Sequence, residues 1–270
     1  MSKAADQIGA LVKSYHERSL FDGVVLAAQK GAVVYQGAIG LADRQRRIPH
    51  TLEARFPICS ITKQFTALLV MQQIVAGKLR LEGTVAEALP DFPKETGSRI
   101  TLKNLLMHTS GLPNTEDIPG FYTSADPRLA DSAYVVRIYG GKPLVSEPGA
   151  KFSYNNLDYL VLAAILEKTG GKPYAVLMKE RILQPLGMTR SGLLNGRESA
   201  SAIIGYERKG DSFAEESPRY RLANYGAAGA MYSTVGDLFK WDRALQEDRL
   251  LPRAARDIMF KSDPTKGYVA

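Results

Sequence analysis

The chain has 270 residues, of which 45% are hydrophobic and 23% are charged, a composition typical of a globular protein with a sizeable core. No run approaches the roughly 20 apolar residues that a bilayer-crossing helix needs, so a membrane span is not expected. The formal net charge of +7 could suit an anionic partner, but nothing resembles a groove-reading helix or a zinc-finger spacing, which argues against a nucleic-acid partner.

The N-terminal part of the chain predicts a helix followed by a β-hairpin. Ile8, Leu11 and Val12 have helical spacing. From Phe21 to Ile39, two β-prone runs flank the turn-like residues 29–31. We expect the helix to cover the sheet that the hairpin forms.

A buried helix is predicted to start near Ser60 and to end at Gly77, which supplies a left-handed stop. Its apolar positions cover too broad a surface for an exposed helix. These positions are Ile61, Phe65, Leu68, Leu69, Ile74 and Val75.

Further helices follow, separated by Gly and Pro. Thr101 is expected to cap a short helix that ends near His108. Residues 157–168 form a strongly apolar helix closed by two glycines, and residues 174–183 predict another helix before a proline.

These elements predict an α/β fold in a single domain of two lobes. Residues 1–59 form an antiparallel sheet lobe with a flanking helix, residues 60–223 form a mostly helical lobe, and residues 224–270 return toward the sheet lobe. We expect the functional site in the cleft between the lobes, where small molecules often bind.

A Ser-x-x-Lys motif runs from Ser60 to Lys63, at the first turn of the buried helix. Residues three apart on a helix share a face, so the Lys63 amine can reach the Ser60 hydroxyl. A desolvated lysine with a lowered pKa can remove the hydroxyl proton, and the helix N-terminus favours negative charge on an attacked carbonyl. The motif therefore predicts a serine nucleophile.

A Tyr-x-Asn motif, Tyr154 to Asn156, lies just before the helix at residues 157–168. With Ser60 and Lys63, it makes the chain resemble the penicillin-recognising group of class C β-lactamases, D-aminopeptidases and family VIII esterases. The resemblance implies that Tyr154 is a general acid/base and that Asn156 binds substrate or orients the lysine. Whether Lys63 or Tyr154 takes the Ser60 proton stays open, and so does a purely structural role for Tyr154 beside an asparagine cap.

Two further stretches resemble the same group, the run from His108 to Pro113 and the run from Gly229 to Thr234. The His-Thr-Ser run could suggest that His108 is the base of a triad. A histidine at a helix end beside a Gly-Pro turn is usually structural, and we expect that role.

The third motif of the group is Lys-Thr-Gly or His-x-Gly on a strand, and after Tyr154 the sequence offers only one match to it, a Lys-Thr-Gly that is not expected on a strand. The Lys-Thr-Gly at residues 168–170 falls at a helix end, where lysine and glycine favour a capping role. We expect a truncated or cleaved chain, with a natural variant or a separate polypeptide as the alternatives. A homodimer or a complementing C-terminal fragment would cover the open sheet edge.

The sequence thus predicts a serine hydrolase that forms an acyl-enzyme on a small ester, amide, D-amino-acid peptide or β-lactam. The alternative is a non-catalytic ligand-binding or regulatory protein with the same fold. No metal or organic cofactor is expected, because neither ligand-spaced His, Cys and carboxylate residues nor a glycine-rich phosphate loop is visible. Without an apolar signal-peptide core at residues 1–6, we expect a cytoplasmic chain, or a periplasmic or secreted one if an export signal was removed.

Overall fold

The computed structural model describes residues 3–194, 203–210, 212–215 and 221–261. The helices are α1 (Lys3–Glu17), α2 (Thr62–Val75), α3 (Val85–Ala88), α4 (Lys94–Gly97), α5 (Leu102–Leu106), α6 (Ser132–Tyr139), α7 (Asn156–Gly170), α8 (Tyr174–Met178), α9 (Gly226–Gly229), α10 (Val235–Gln246) and α11 (Arg253–Met259). The strands are β1 (Gly23–Gln29), β2 (Ala32–Ile39), β3 (Leu41–Asp43), β4 (Ile48–Pro49), β5 (Phe56–Pro57), β6 (Gly192–Leu193), β7 (Tyr206–Lys209), β8 (Ser212–Glu215) and β9 (Met231–Ser233). The predicted α/β class with antiparallel strands is confirmed.

The predicted N-terminal hairpin is present as β1 and β2, which pair antiparallel from Gly23 opposite Ile39 to the turn. Lys30 and Gly31 both have positive φ, 51° and 78°, as a two-residue hairpin turn with right-handed strand twist requires. Helix α1 packs on β2, as expected.

The core of the described residues lies among the helices. Every residue of α7 from Asn156 to Leu166 is buried, because α2, α5, α6, α8 and α9 surround this helix. An apolar helix without a polar face needs such surroundings. The largest fully buried side chains of α2 and α7 are Phe65, Leu68, Leu157, Leu160, Leu162, Ile165 and Leu166.

Most of helix α2 from Thr62 to Met71 is buried, but the residue before it and its last residue are exposed. Phe65, Leu68 and Leu69 are buried as predicted, but Ile61 and Val75 are 42% and 51% exposed, so the prediction was wrong at the two ends. These residues lie where the chain enters and leaves the core. The helix ends as predicted at Gly77, whose φ is 70°.

A small sheet in the order β5–β9–β6 supports the start of α2. Phe56 pairs with Ser233, and Pro57 pairs with Tyr232. The Ile58 N–H then donates to the Met231 carbonyl at 2.9 Å. The run from Gly229 to Thr234 therefore holds the segment directly before Ser60.

The Lys-Thr-Gly at residues 168–170 forms the last turn of α7, as predicted. Gly171 follows with a φ of 67°, and its N–H donates to the Glu167 carbonyl. The Thr169 hydroxyl donates to the Ile165 carbonyl at 2.9 Å. Within the described ranges, no helix has both the length and the apolar character needed to cross a membrane.

Candidate active site

Ser60 lies in a 3₁₀ turn, Cys59–Ile61, that leads directly into α2. Cys59 has a φ of 45°, a conformation that costs free energy for a residue other than glycine. The Thr62 hydroxyl stabilises the turn, because it donates to the Cys59 carbonyl at 2.6 Å and accepts from the Met231 N–H at 3.2 Å. The turn presents Ser60 at the surface, at the N-terminal end of a buried helix.

Lys63 lies one turn further along and is only 5% exposed. Its Nζ is 3.3 Å from the Ser60 Oγ. It also donates to the Asn156 Oδ1 and to the Ala228 carbonyl, each at 2.8 Å. The amine is therefore held between three oxygen atoms, one of which belongs to the candidate nucleophile.

Burial lowers the pKa of the Lys63 amine from 10.5 to about 7. The negative charges of Glu116 and Asp158 and the Cys59 side chain act in the opposite direction, but their combined effect is smaller. A large fraction of the amine is therefore uncharged near neutral pH.

Tyr154 faces Ser60 from the other side of the site. Its Oη lies 2.6 Å from the Ser60 Oγ, and its ring centroid lies 4.7 Å from the Lys63 Nζ. The side chain is 37% exposed, so the hydroxyl pair lies at the mouth of the site. Asn155, next in the chain, caps α7 by accepting from the Leu157 N–H at 2.8 Å.

Asn156 forms the buried floor of the site and is 2% exposed. Its Oδ1 accepts from Lys63, and its Nδ2 donates to the Glu116 Oε1 at 3.1 Å and to the Tyr122 hydroxyl at 3.2 Å. These contacts fix the amide so that its oxygen faces the lysine. The structure thus brings together all four residues that the sequence singled out.

Several groups at the site were missed by the sequence reasoning. Glu116 and Asn114 come from the loop after Pro113, and the Asn114 side chain donates to the Tyr154 carbonyl at 3.2 Å and accepts from the Asn156 N–H at 3.1 Å. Ala228 contributes only its carbonyl. The run from Gly229 to Thr234, beside Ala228, was noted in the sequence, but a main-chain acceptor leaves no residue-type signal.

His108 is fully buried behind Tyr154, with the two ring centroids 4.5 Å apart. Its Nδ1 accepts from the Asn155 N–H at 3.2 Å. Gly111, in the same stretch, has a φ of 76°, and a Cβ there would lie 2.1 Å from the Ser146 carbonyl oxygen. The His108 stretch therefore packs under the Tyr-x-Asn turn.

No group of three or more His, Cys, Asp or Glu residues in the described part of the chain is placed to hold a metal ion. The site therefore consists of a hydroxyl, an amine, a phenol and an amide, which are groups suited to proton transfer and nucleophilic attack.

Comparison with known proteins gives consistent matches. Penicillin-binding protein 4* of Bacillus subtilis is 32% identical in an alignment of 267 residues that covers 93% of this chain and 58% of that protein. The structure of D-amino acid amidase from Ochrobactrum anthropi SV3 complexed with L-phenylalanine amide matches with a TM-score of 0.81 at 25% identity, over 96% of this chain and 75% of that one. EstCE1, described as a hydrolase with promiscuous acyltransferase activity, matches with a TM-score of 0.76 at 25% identity. This match covers 96% of this chain and 78% of that one.

The chain spans less than two thirds of the length of the penicillin-binding protein that it matches. The family model described as Beta-lactamase matches residues 8–268. That match covers nearly the whole chain and includes every residue of the site. The chain therefore belongs to the Beta-lactamase family, within the penicillin-recognising serine hydrolase superfamily.

Proposed function

We propose that this protein is a serine hydrolase that works through an acyl-enzyme on Ser60. The observation that carries the proposal is the contact of one hydroxyl with two proton-handling groups. The Ser60 Oγ lies 2.6 Å from the Tyr154 Oη and 3.3 Å from the buried Lys63 amine. A serine becomes an effective nucleophile when a neighbouring base takes its proton.

Lys63 is the better candidate for that base. Uncharged, the amine has two N–H groups and one lone pair. Asn156 Oδ1 and the Ala228 carbonyl can only accept, so they take the two N–H groups. The lone pair then faces the Ser60 hydroxyl, and the pKa of about 7 suits proton transfer near neutral pH.

In acylation, the bond from Ser60 Oγ to the substrate carbonyl carbon forms as the hydroxyl proton passes to Lys63. The bond from that carbon to the leaving group then breaks. Tyr154 donates its proton to the leaving group, and the Lys63 ammonium restores a proton to the tyrosine. In deacylation, a water molecule loses a proton to the same pair and attacks the ester, and Ser60 leaves with a proton.

The start of α2 supports negative charge on the attacked carbonyl oxygen. The Ser60 N–H belongs to the 3₁₀ turn that leads into α2, and N–H groups at the start of a helix lack acceptors within it. The helix dipole also places partial positive charge there. Both effects favour the transition state over the substrate, as an oxyanion site must.

The proposed substrates are small carboxylic esters, amides and β-lactams, because each presents a carbonyl carbon with a leaving group. The names of the similar proteins cover the same range, with a penicillin-binding protein, a D-amino acid amidase and a hydrolase with acyltransferase activity. Asn156 lies in the buried floor of the site and donates to the exposed Glu116, and we assign both residues to contact with the bound substrate.

Hydrolysis of nitrocefin, p-nitrophenyl butyrate and a D-phenylalanine p-nitroanilide, measured side by side, tests the proposal. We expect turnover of at least one substrate and its loss in Ser60→Ala. Ser98→Ala, which changes an exposed serine after α4, is the matched control and should retain the activity. Turnover that survives in Ser60→Ala would contradict the proposal. A folded protein that binds these compounds without turnover or adduct would instead be a ligand-binding member of the family.

A further inference from the structure

A buried polar cluster lies directly behind Tyr154 and has no part in the proton transfers proposed above. It consists of His108, Ser110 and Asp158, each at most 1% exposed. The Ser110 hydroxyl donates to the Asp158 Oδ1 at 2.5 Å, and the His108 Nδ1 lies 3.4 Å from the Asp158 Oδ2. Burial of polar groups is costly, so their presence against an active-site side chain suggests a role there.

His108 holds the main chain on both sides of Tyr154. Its carbonyl accepts from the Ser153 N–H at 2.8 Å, and its Nδ1 accepts from the Asn155 N–H at 3.2 Å. One residue therefore fixes the peptide groups that precede and follow the tyrosine. Its own backbone is in the left-handed region, with a φ of 53°, which turns its carbonyl and its ring toward the same segment.

The His108 ring also supports the Tyr154 ring. The centroids are 4.5 Å apart with an interplanar angle of 42°, and Tyr159 and Phe152 flank the histidine at 5.2 Å and 6.0 Å. The outer side of Tyr154 is exposed, so its position relative to Ser60 depends mainly on what lies behind it.

We propose that His108 is a positioning residue that keeps the Tyr154 hydroxyl within hydrogen-bond distance of Ser60. The inference rests on the proposed function, because it assigns His108 to the same reaction. A displacement of about 1 Å in a catalytic group can lower a rate by about 100-fold. Loss of the support should therefore slow acylation more than it weakens substrate binding.

The test compares two substitutions of His108. His108→Leu removes the acceptor for the Asn155 N–H and replaces the ring with an apolar side chain of similar bulk. His108→Asn places an acceptor oxygen at the same distance along the side chain as Nδ1, and asparagine tolerates positive φ. Ile182→Ala, in a fully buried position of the turn after α8, is the control for a general loss of stability.

The rate of acylation by nitrocefin or the D-phenylalanine p-nitroanilide, whose leaving nitrogen takes the Tyr154 proton, is measured against substrate concentration by rapid-quench intact mass, and the melting temperature is recorded for each variant. We expect His108→Leu to lower the limiting rate by about 10- to 100-fold, with a half-saturating concentration within about threefold of the wild type. His108→Asn should recover to within about fivefold of the wild-type rate. Ile182→Ala should lose stability and keep the wild-type limiting rate.

A wild-type rate in His108→Leu, or equal rates in both His108 variants and Ile182→Ala, would overturn the positioning role. If His108→Leu does not fold, His108→Ala replaces it, because it also lacks an acceptor for the Asn155 N–H and adds no bulk, and Ile182→Ala then also controls for the cavity. The expected loss in that variant is at least about fivefold, and a wild-type rate would again overturn the inference. Labelling of Ser60→Ala by a fluorophosphonate separates the two proposals. Full labelling of this variant refutes the proposed function. If Ser60→Ala is not labelled and His108→Leu keeps the wild-type acylation rate, only the positioning role is refuted.

Discussion

The helical region around α2 and α7 and the N-terminal hairpin of β1 and β2 differ sharply in how they are packed. In α7, all residues from Asn156 to Leu166 are buried, whereas in the hairpin only Gly23 is buried. Lys63, Tyr154 and Asn156 all belong to the helical region or to its entrance. The region with the most complete packing is thus the one that carries the candidate chemistry.

This difference has a physical reason. A lysine pKa near 7 requires removal of water from around the amine, and only a closely packed core provides that environment. A two-stranded hairpin has one neighbour per strand and is marginally stable without further cover. A hairpin with this packing cannot desolvate a charge.

The largest expected effect is on acylation when the buried amine is removed. Lys63→Met should lower the rate of acyl-enzyme formation by about 1,000-fold, because the variant lacks the base for Ser60. Lys13→Met, on the helix that covers the hairpin, removes a lysine whose side chain is 72% exposed and should leave the rate unchanged. Rapid-quench intact-mass measurements give both rates, and equal rates would show that the packed region does not carry the chemistry.

A matched pair of leucine truncations compares the packing itself. Leu162→Ala removes a fully buried side chain in α7 and should lower the free energy of unfolding by about 3–4 kcal/mol. Leu26→Ala, in the partly buried β1, should lower the free energy of unfolding by about 1 kcal/mol. Urea unfolding measures both values, and similar losses would contradict the contrast between the two regions.

The buried amine should also make stability depend on pH. Its folded pKa is about 7, below the ordinary value of 10.5, so the unfolded chain binds more protons between these values and stability rises with pH there. The stability of Lys63→Met relative to the wild type should therefore fall by about 3 kcal/mol between about pH 6.5 and 9.5. Chemical unfolding of both proteins across this range tests it, and a constant difference would mean that Lys63 titrates normally.

The smallest expected effect concerns Glu116, whose charge raises the pKa of Lys63. Glu116→Gln should lower that pKa. Because acylation needs the uncharged Lys63 amine, the pH below which the acylation rate declines should also be lower in this variant. Asp158 and Cys59 remain in place and continue to act on Lys63. Glu82→Gln, which changes an exposed carboxylate paired with Lys103, is the control and should leave the profile unmoved.

Features set by local sequence were predictable. The hairpin turn, the Thr101 cap, the stop at Gly77 and the three-residue spacing from Ser60 to Lys63 each depend on neighbouring residues, and the structure contains them. The exposure of Ile61 and Val75 was not predictable, because it depends on where the helix ends meet the surface of the core.

Groups that join the site through tertiary contacts left weaker signals. Tyr154 is 94 residues from Ser60 in sequence, and only the resemblance to known enzymes connected them. Glu116 resembles any loop carboxylate, and the Ala228 carbonyl has no side chain to reveal it. Such contacts follow from the packing of α2, α7 and α9 against one another.

The proposed chemistry depends on Ser60 as the nucleophile of an acyl-transfer site. Peptide mapping of the protein after incubation with a fluorophosphonate tests it most directly, with Ser60→Ala treated in parallel. We expect one adduct per chain, on the peptide that contains Ser60, and none in the variant. An adduct on another residue, or equal labelling of Ser60→Ala, would contradict it.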